Sequence, residues 1–398
     1  MVRARPLEGV RVLDLGRLMP SAIATAELGK LGADVVKVEM PPHGDYLRVN
    51  PPLIDGRGDM HLDINRNKRS IGVHFEKPAG RELLLRLVST ADVFVELSRP
   101  GAMERLGLDY NTLRASNPSL VYASFSGFGH TGPYSELAAH GLSADGASGF
   151  LPVMADGGRR VLPEPYVSVG PRAAGLYGAI AILGALVGRS ATGRGQHLDI
   201  SQGDAAIAWY YREMVLTANT GTGTPSYRSL GPRYEIYRCA DDRYVLFAAT
   251  EPHLWRRFCN VAERPDLADS ADGVAVEYHD DPLVRAALET VFAARTRAEW
   301  VELGIETGIP ITPVVESTEI TSDEHVRARG MVQRQPHPLG GDMWLTGHPV
   351  RFSDGDVTFT PAPELGQHTV DVLSESGFDE AEVAAAVEMG AVVQWDRS

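Results

Sequence analysis

Val10-Arg-Val-Leu-Asp-Leu15, Ala22-Ile-Ala-Thr-Ala-Glu-Leu-Gly-Lys-Leu31 and Ala33-Asp-Val-Val-Lys-Val-Glu39 decide the fold. The first and third are short β-branched runs, the pattern of strands buried on both faces. The middle segment is rich in Ala and Leu, which favour helix, and Gly32 follows where a helix end favours glycine. Strand, helix and strand at this spacing predict a parallel βαβ unit. The pattern recurs: a helix over residues 79–89, a strand over 91–96, a short helix over 110–115 and a strand over 120–125. Repetition of this kind predicts a doubly wound α/β layer.

Working outward, residues 40–70 break the pattern with Pro41, Pro42, Pro51 and Pro52 and with a basic knot, Asn65-Arg-Asn-Lys-Arg69. They predict a long surface connection, a place where function concentrates. Residues 126–170 are a second Gly- and Pro-rich region. A central helix is expected from Gly175 to Val187, too short to span a bilayer. Residues 210–229 read as a linker, and the runs Tyr234–Cys239 and Tyr244–Ala248 flank Asp241-Asp-Arg243 as a hairpin. The expected organisation is an α/β domain over 1–210, a small α+β domain over 225–325, and a segment over 330–398 that completes the large domain.

The 398 residues suffice for two domains. A formal charge of −14 argues against general attraction to nucleic acid or anionic membrane, but leaves room for a local basic pocket. Cys239 and Cys259 have no metal or redox spacing. The N-terminus lacks a secretory pattern, so a cytoplasmic location is expected.

The first strand is followed by Gly16-Arg-Leu-Met-Pro-Ser21 rather than by a GxGxxG turn, so no nicotinamide cofactor is expected. Walker, HExxH and GxSxG motifs are also missing, and no metal site is expected. The knot residues Arg66, Lys68 and Arg69, with Arg99 and Arg105 beyond, are candidates to hold an anionic, phosphorylated ligand. His140 lies in a loop, and imidazole is the side chain whose unperturbed pKa lies near 7, so it is a candidate proton carrier. Glu251 follows an apolar strand and precedes Pro252, where a carboxylate could orient a histidine.

Taken together, several motifs resemble family III CoA-transferases and the related 2-methylacyl-CoA racemases, the CaiB/BaiF-like family. They are Pro6-Leu-Glu-Gly-Val-Arg-Val-Leu-Asp14, Leu31-Gly-Ala-Asp-Val-Val-Lys-Val-Glu39, Asn65-Arg-Asn-Lys-Arg-Ser70 and Arg99-Pro-Gly-Ala-Met-Glu-Arg-Leu-Gly107. Ser126-Gly-Phe-Gly-His-Thr-Gly-Pro133, Thr192-Gly-Arg-Gly-Gln196 and Ala362-Pro-Glu-Leu-Gly-Gln-His-Thr369 continue the likeness in order. The resemblance implies a Rossmann-like large domain built from both chain ends, a smaller middle domain, and an interlocked homodimer. It implies coenzyme A or acyl-CoA as substrate with a free carboxylic acid as second partner, and CoA-binding roles for Arg17, Arg66, Lys68, Arg69 and Arg105. His140 and Glu251 fall where the racemases place a histidine and its glutamate partner.

At the position where the family carries an aspartate, this chain has Pro171, in Val169-Gly-Pro-Arg-Ala-Ala-Gly175. Proline offers no acid and no nucleophile. Three readings follow from the resemblance. One is a CoA-transferase with a displaced nucleophile, with Glu164, Asp145 or Asp156 as candidates. The second is a one-base racemase- or isomerase-like enzyme using His140 and Glu251. The third is a non-catalytic CoA-binding subunit paired with an aspartate-bearing homologue.

Overall fold

The computed structural model describes residues 5–149, 151–156, 158–163, 165–222, 231–271, 281–338, 340–353, 355 and 357–395. Two compact units emerge, one of residues 1–214 with 330–398 and one of residues 215–329.

The first unit is built on a seven-stranded sheet. Its order across the sheet is His197–Ser201, Val121–Ser126, Val93–Leu97, Arg11–Asp14, Asp34–Glu39, Lys68–Val73 and Val392–Val393. Every pairing is parallel except the last, where Val392 lies opposite Val73 in antiparallel register. The chain winds one way from the Arg11–Asp14 strand, then returns to place Val93–Leu97 on that strand's other side, with Val12 opposite both Val35 and Val93. This reversal is a topological switch point, where open α/β sheets carry a crevice at the carboxyl ends of their strands.

Alternation divides the strands between two cores. Val12, Val35, Val93, Val121 and Ala123 face a core shared with the helices Met19–Lys30 and Gly170–Thr192. Leu13, Val36, Phe94 and Tyr122 face the other, with the helices Pro78–Val88, Thr369–Glu375 and Glu380–Glu388. The chain's last strand and two helices therefore close a sheet begun at its other end. The helices Met19–Lys30 and Gly170–Thr192 meet at Gly175, where an added Cβ would lie 2.7 Å from Ile23 Cβ and 2.9 Å from Pro20 O. Only glycine allows that approach.

The sequence reading misplaced several boundaries. The central helix is Gly170–Thr192, 23 residues rather than a start at Gly175, so Pro171 sits in its first turn. Among the described residues it is the one helix long and apolar enough to cross a membrane, and Ala173, Ala174, Ile182 and Ala185 along it are buried in the core. Residues 40–70 are no open loop: they hold the hairpin Leu53–Ile54 with Arg57–Gly58 and the helix Asp59–Ile64, and Lys68 opens a sheet strand. Tyr211–Thr220, read as linker, is helical.

The second unit has a three-stranded antiparallel sheet of Tyr234–Arg238, Tyr244–Ala248 and Ile311–Val314. The helices Pro252–Val261, Pro282–Phe292 and Arg297–Thr307 cover it around an aromatic core of Phe247, Trp255, Phe258, Phe292 and Trp300. Cys239 and Cys259 are buried in this core, and burial pushes both thiols up to about 11, so they stay protonated and inert.

Candidate functional site

At the switch point the Arg11–Asp14 strand ends in a tight turn toward the Met19–Lys30 helix. Asp14 Oδ1 accepts from the Gly16 N–H at 3.0 Å, and Lys37 Nζ donates to Gly16 O at 2.9 Å. A Cβ on Gly16 would lie 2.0 Å from Ser21 Oγ, so no side chain fits there. Two residues on, Asp45 Oδ1 holds the turn by accepting from Leu18 N at 3.2 Å. Arg17 is thereby projected outward from a fixed turn.

The basic knot supports this frame from inside and does not reach the crevice. Lys68 is buried and donates to Thr25 Oγ1 at 2.8 Å, Ala22 O at 3.1 Å and Asp14 Oδ2 at 3.2 Å. Burial outweighs the Asp14 charge and pushes its amine down to about 8. Arg66 is also buried, pairs with Asp63 at 2.5 Å and lies 4.2 Å over the Phe359 ring. Arg69 bridges Asp34 and Glu375, each at 2.7 Å. The reading of these three as ligand-binding groups gives way to a structural role, because each already has an internal carboxylate partner.

The crevice itself is a cavity of about 570 Å³. Arg17, Arg105, His140 and Pro171 all line it, together with Ser98 and Arg99 from the end of the Val93–Leu97 strand. Arg17, Arg99, Arg105 and His140 are exposed. A neighbouring cavity of about 360 Å³ shares Arg17, Leu97, Ser98 and Ala102 with it and continues over Met40, Tyr46 and Phe75. Together they make a groove across the switch point with Arg17 at their junction; Glu39, His43, Asp45 and Glu76 also line the smaller cavity.

None of the described residues lining the larger cavity is an acid. Pro171 is buried in its wall, in the first turn of the Gly170–Thr192 helix, and a Cβ on Gly141 would lie 3.5 Å from Pro171 Cγ. Asp145, one candidate nucleophile, does not line the cavity. Its carboxylate accepts from Gly170 N at 2.6 Å, Ser168 Oγ at 2.7 Å, and Val169 N and Tyr166 OH at 3.0 Å. Four donors to one carboxylate fix the helix start and occupy its oxygens away from the cavity. Asp156 is exposed on a hairpin of Met154–Asp156 with Arg159–Val161, and Glu164 lies outside the described residues. Glu251 belongs to the second unit, at the N-cap of the Pro252–Val261 helix, where Thr250 Oγ1 donates to it at 3.1 Å.

Sequence reasoning missed Ser126 and Gln202 in the cavity wall. Both follow from strand ends: Ser126 closes Val121–Ser126, and Gln202 follows His197–Ser201 and donates to Ser126 O at 3.2 Å. The signal was the five-residue strand His197–Ser201, whose His, Asp and Ser conceal its alternation.

CoA-transferase family III matches residues 7–369 of this chain. The human succinyl-CoA:glutarate CoA-transferase is 30% identical over 99% of this chain and 91% of its own length. The acetyl-CoA:oxalate CoA-transferase of Acetobacter aceti is 30% identical over 88% and 90%, respectively. The succinyl-CoA:mesaconate CoA-transferase of Haloarcula marismortui is 31% identical over 94% and 97%. The crystal structure of a CAIB/BAIF family protein from Brucella suis superposes with a TM-score of 0.77 at 30% identity, covering 94% of this chain and all of that one. With a match that runs from residue 7 to residue 369, the chain belongs to CoA-transferase family III.

Proposed function

We propose that this protein transfers CoA between an acyl-CoA thioester and a free carboxylic acid, and that a short dicarboxylic acid is one of its partners. The observation that carries the reading is the groove at the switch point, with Arg17, Arg99 and Arg105, and no acid, among the described residues lining its larger cavity. CoA phosphates pair with guanidinium groups through charge-assisted hydrogen bonds. The adenine end lies over Tyr46 and Phe75, and the thioester end reaches toward His140 and Pro171. Relatives named for glutarate, oxalate and mesaconate support a dicarboxylate, whose second acid an arginine can hold.

In this reading the acceptor supplies the nucleophile. Its carboxylate attacks the thioester carbonyl, a mixed anhydride forms and CoA leaves as thiolate. The thiolate then attacks the acceptor's carbonyl and releases the donor acid, so atoms and charge balance. His140 donates to the oxyanion that develops at the carbonyl. The protein acts in the cytoplasm as a homodimer, its second copy covering exposed apolar residues such as Ile180 and Val187. The names of the relatives favour transfer over a one-base racemase, and a homo-oligomer active alone would set aside the silent-subunit reading.

The test is exchange of labelled CoA between acyl-CoA donors and a panel of mono- and dicarboxylic acids, with mass spectrometry of the protein. Wild type should transfer without a covalent CoA adduct, and Pro171→Asp should give an adduct at that residue. No transfer to any acid by folded protein that binds CoA would overturn the proposal. A stable adduct on a wild-type carboxylate would overturn the direct route alone.

A further inference from the structure

The transfer route moves no proton. The acceptor acid attacks as a carboxylate and CoA leaves as a thiolate, so neither step asks the protein to take up hydrogen. The larger cavity nevertheless carries a proton acceptor. Its described lining holds three arginines, one histidine and otherwise apolar or neutral polar residues. Histidine is the one residue type among them that accepts a proton near neutral pH. His140 is exposed, so solvent reaches it. Its part in transfer, donating to the oxyanion, needs an N–H and no base.

The wall around it is built. His140 precedes the Gly141–Ala147 helix, and its backbone N–H donates to Ser143 Oγ at 3.1 Å, which holds the residue in place. Gly141 packs on Pro171, where an added Cβ would lie 3.5 Å from Pro171 Cγ. Gly170, just before that proline, packs on Gln202, where an added Cβ would lie 3.1 Å from Gln202 O. Gln202 is 8% exposed and lines the same cavity. Its Nε2 donates to Ser126 O at 3.2 Å, which settles the amide orientation and leaves Oε1 as an acceptor. The start of the Gly170–Thr192 helix thus brings a base and a neutral acceptor to one wall. Among the described residues lining the cavity no carboxylate competes there for an acyl carbonyl.

We propose that this cavity also hydrolyses acyl-CoA when no acceptor acid is bound, with His140 as general base and Gln202 holding the water. The proposal rests on the reading that the thioester carbonyl lies at this wall. Water donates one hydrogen to the imidazole and the other to Gln202 Oε1, and its oxygen attacks the carbonyl as His140 takes the first proton. The C–S bond then breaks, the imidazolium returns its proton to the CoA thiolate, and the new acid gives its own to solvent. One thioester and one water become one carboxylate, one thiol and one proton. The nucleophile present decides the outcome, because a carboxylate carries no proton and bypasses the base, whereas water needs it.

The probes are acetyl-, butyryl- and glutaryl-CoA, incubated with the full chain in ¹⁸O-labelled water with no acid added. The protein should release CoA thiol faster than buffer does, and the acid formed should carry one ¹⁸O. Acid released by transfer should carry none, since its new oxygen comes from the acceptor. His140→Gln keeps an N–H donor and removes the base. It should cut hydrolysis about a hundredfold or more and abolish its rise with pH, while transfer falls about threefold or less. Gln202→Leu should lower kcat for hydrolysis about tenfold with KM unchanged, and gives a second variant should His140→Gln fail to fold. Hydrolysis no faster than in buffer by protein that binds acyl-CoA, or a rate unchanged in either folded variant, would overturn the proposal. Hydrolysis without transfer to any acid would sustain it and overturn the transfer reading alone.

Discussion

The protein places positive charge in two regions, the knot Arg66–Arg69 and the groove arginines Arg17, Arg99 and Arg105, and the same chemistry does different work in each. In the knot every cation meets a carboxylate: Lys68 with Asp14, Arg66 with Asp63, and Arg69 with Asp34 and Glu375. In the groove the arginines stand at strand and helix ends beside a cavity whose described lining carries no acid. What separates a structural cation from a binding one is whether the fold has already given it a partner. Charge count along the sequence does not decide it.

Removing one knot cation should have the largest effect. Lys68→Met leaves Asp14 buried beside the Gly16 turn with one partner fewer. Breaking a buried pair in this way costs about 3–5 kcal/mol, and chemical denaturation should show it. A stability loss under about 1 kcal/mol would erase the contrast between the regions.

Acid should act next, through the same buried network. Burial alone would raise the Glu39 carboxyl, but hydrogen bonds and charge from Arg48 at 2.6 Å, with Lys37 and Ser70, bring it down to about 2 from the ordinary 4.5. The unfolded chain therefore takes up this proton first as pH falls. The stabilisation is fully present above pH 4.5 and is lost as pH drops toward 2. It amounts to about 3 kcal/mol for a shift of this size. Stability curves between pH 5 and pH 2 should show the loss, and Glu39→Gln should flatten that part of the profile.

Arg105→Ala addresses the groove. It should leave thermal stability unchanged and weaken CoA binding about tenfold or more, the loss of a charge-assisted contact worth about 1.5–3 kcal/mol. Unchanged affinity in calorimetry would move the phosphates elsewhere. The smallest effect belongs to Arg69→Ala at the knot's edge. Its pairs are partly exposed, so the cost should stay under about 1 kcal/mol and CoA binding should not change. A fall in CoA affinity there would restore the knot as a ligand site.

The sequence by itself determined the doubly wound sheet. Val12, Val35 and Val93 alternate with Leu13, Val36 and Phe94, and a strand buried on both faces can be satisfied in few other ways. It also marked His140, Arg105 and Pro171, which share one cavity in the structure. The Val392–Val393 strand carried no signal, because two residues show no period and only Val73 and Gly72 across the sheet make them a strand. Lys68 and Arg69 looked like a ligand loop because a charged strand start and a charged loop read alike along the chain. Only the tertiary structure decided between them, since the carboxylates that neutralise these cations come from distant positions, 54 residues away for Asp14 and 306 for Glu375. Pairing across such separations is a property of three-dimensional packing, and local sequence pattern does not record it.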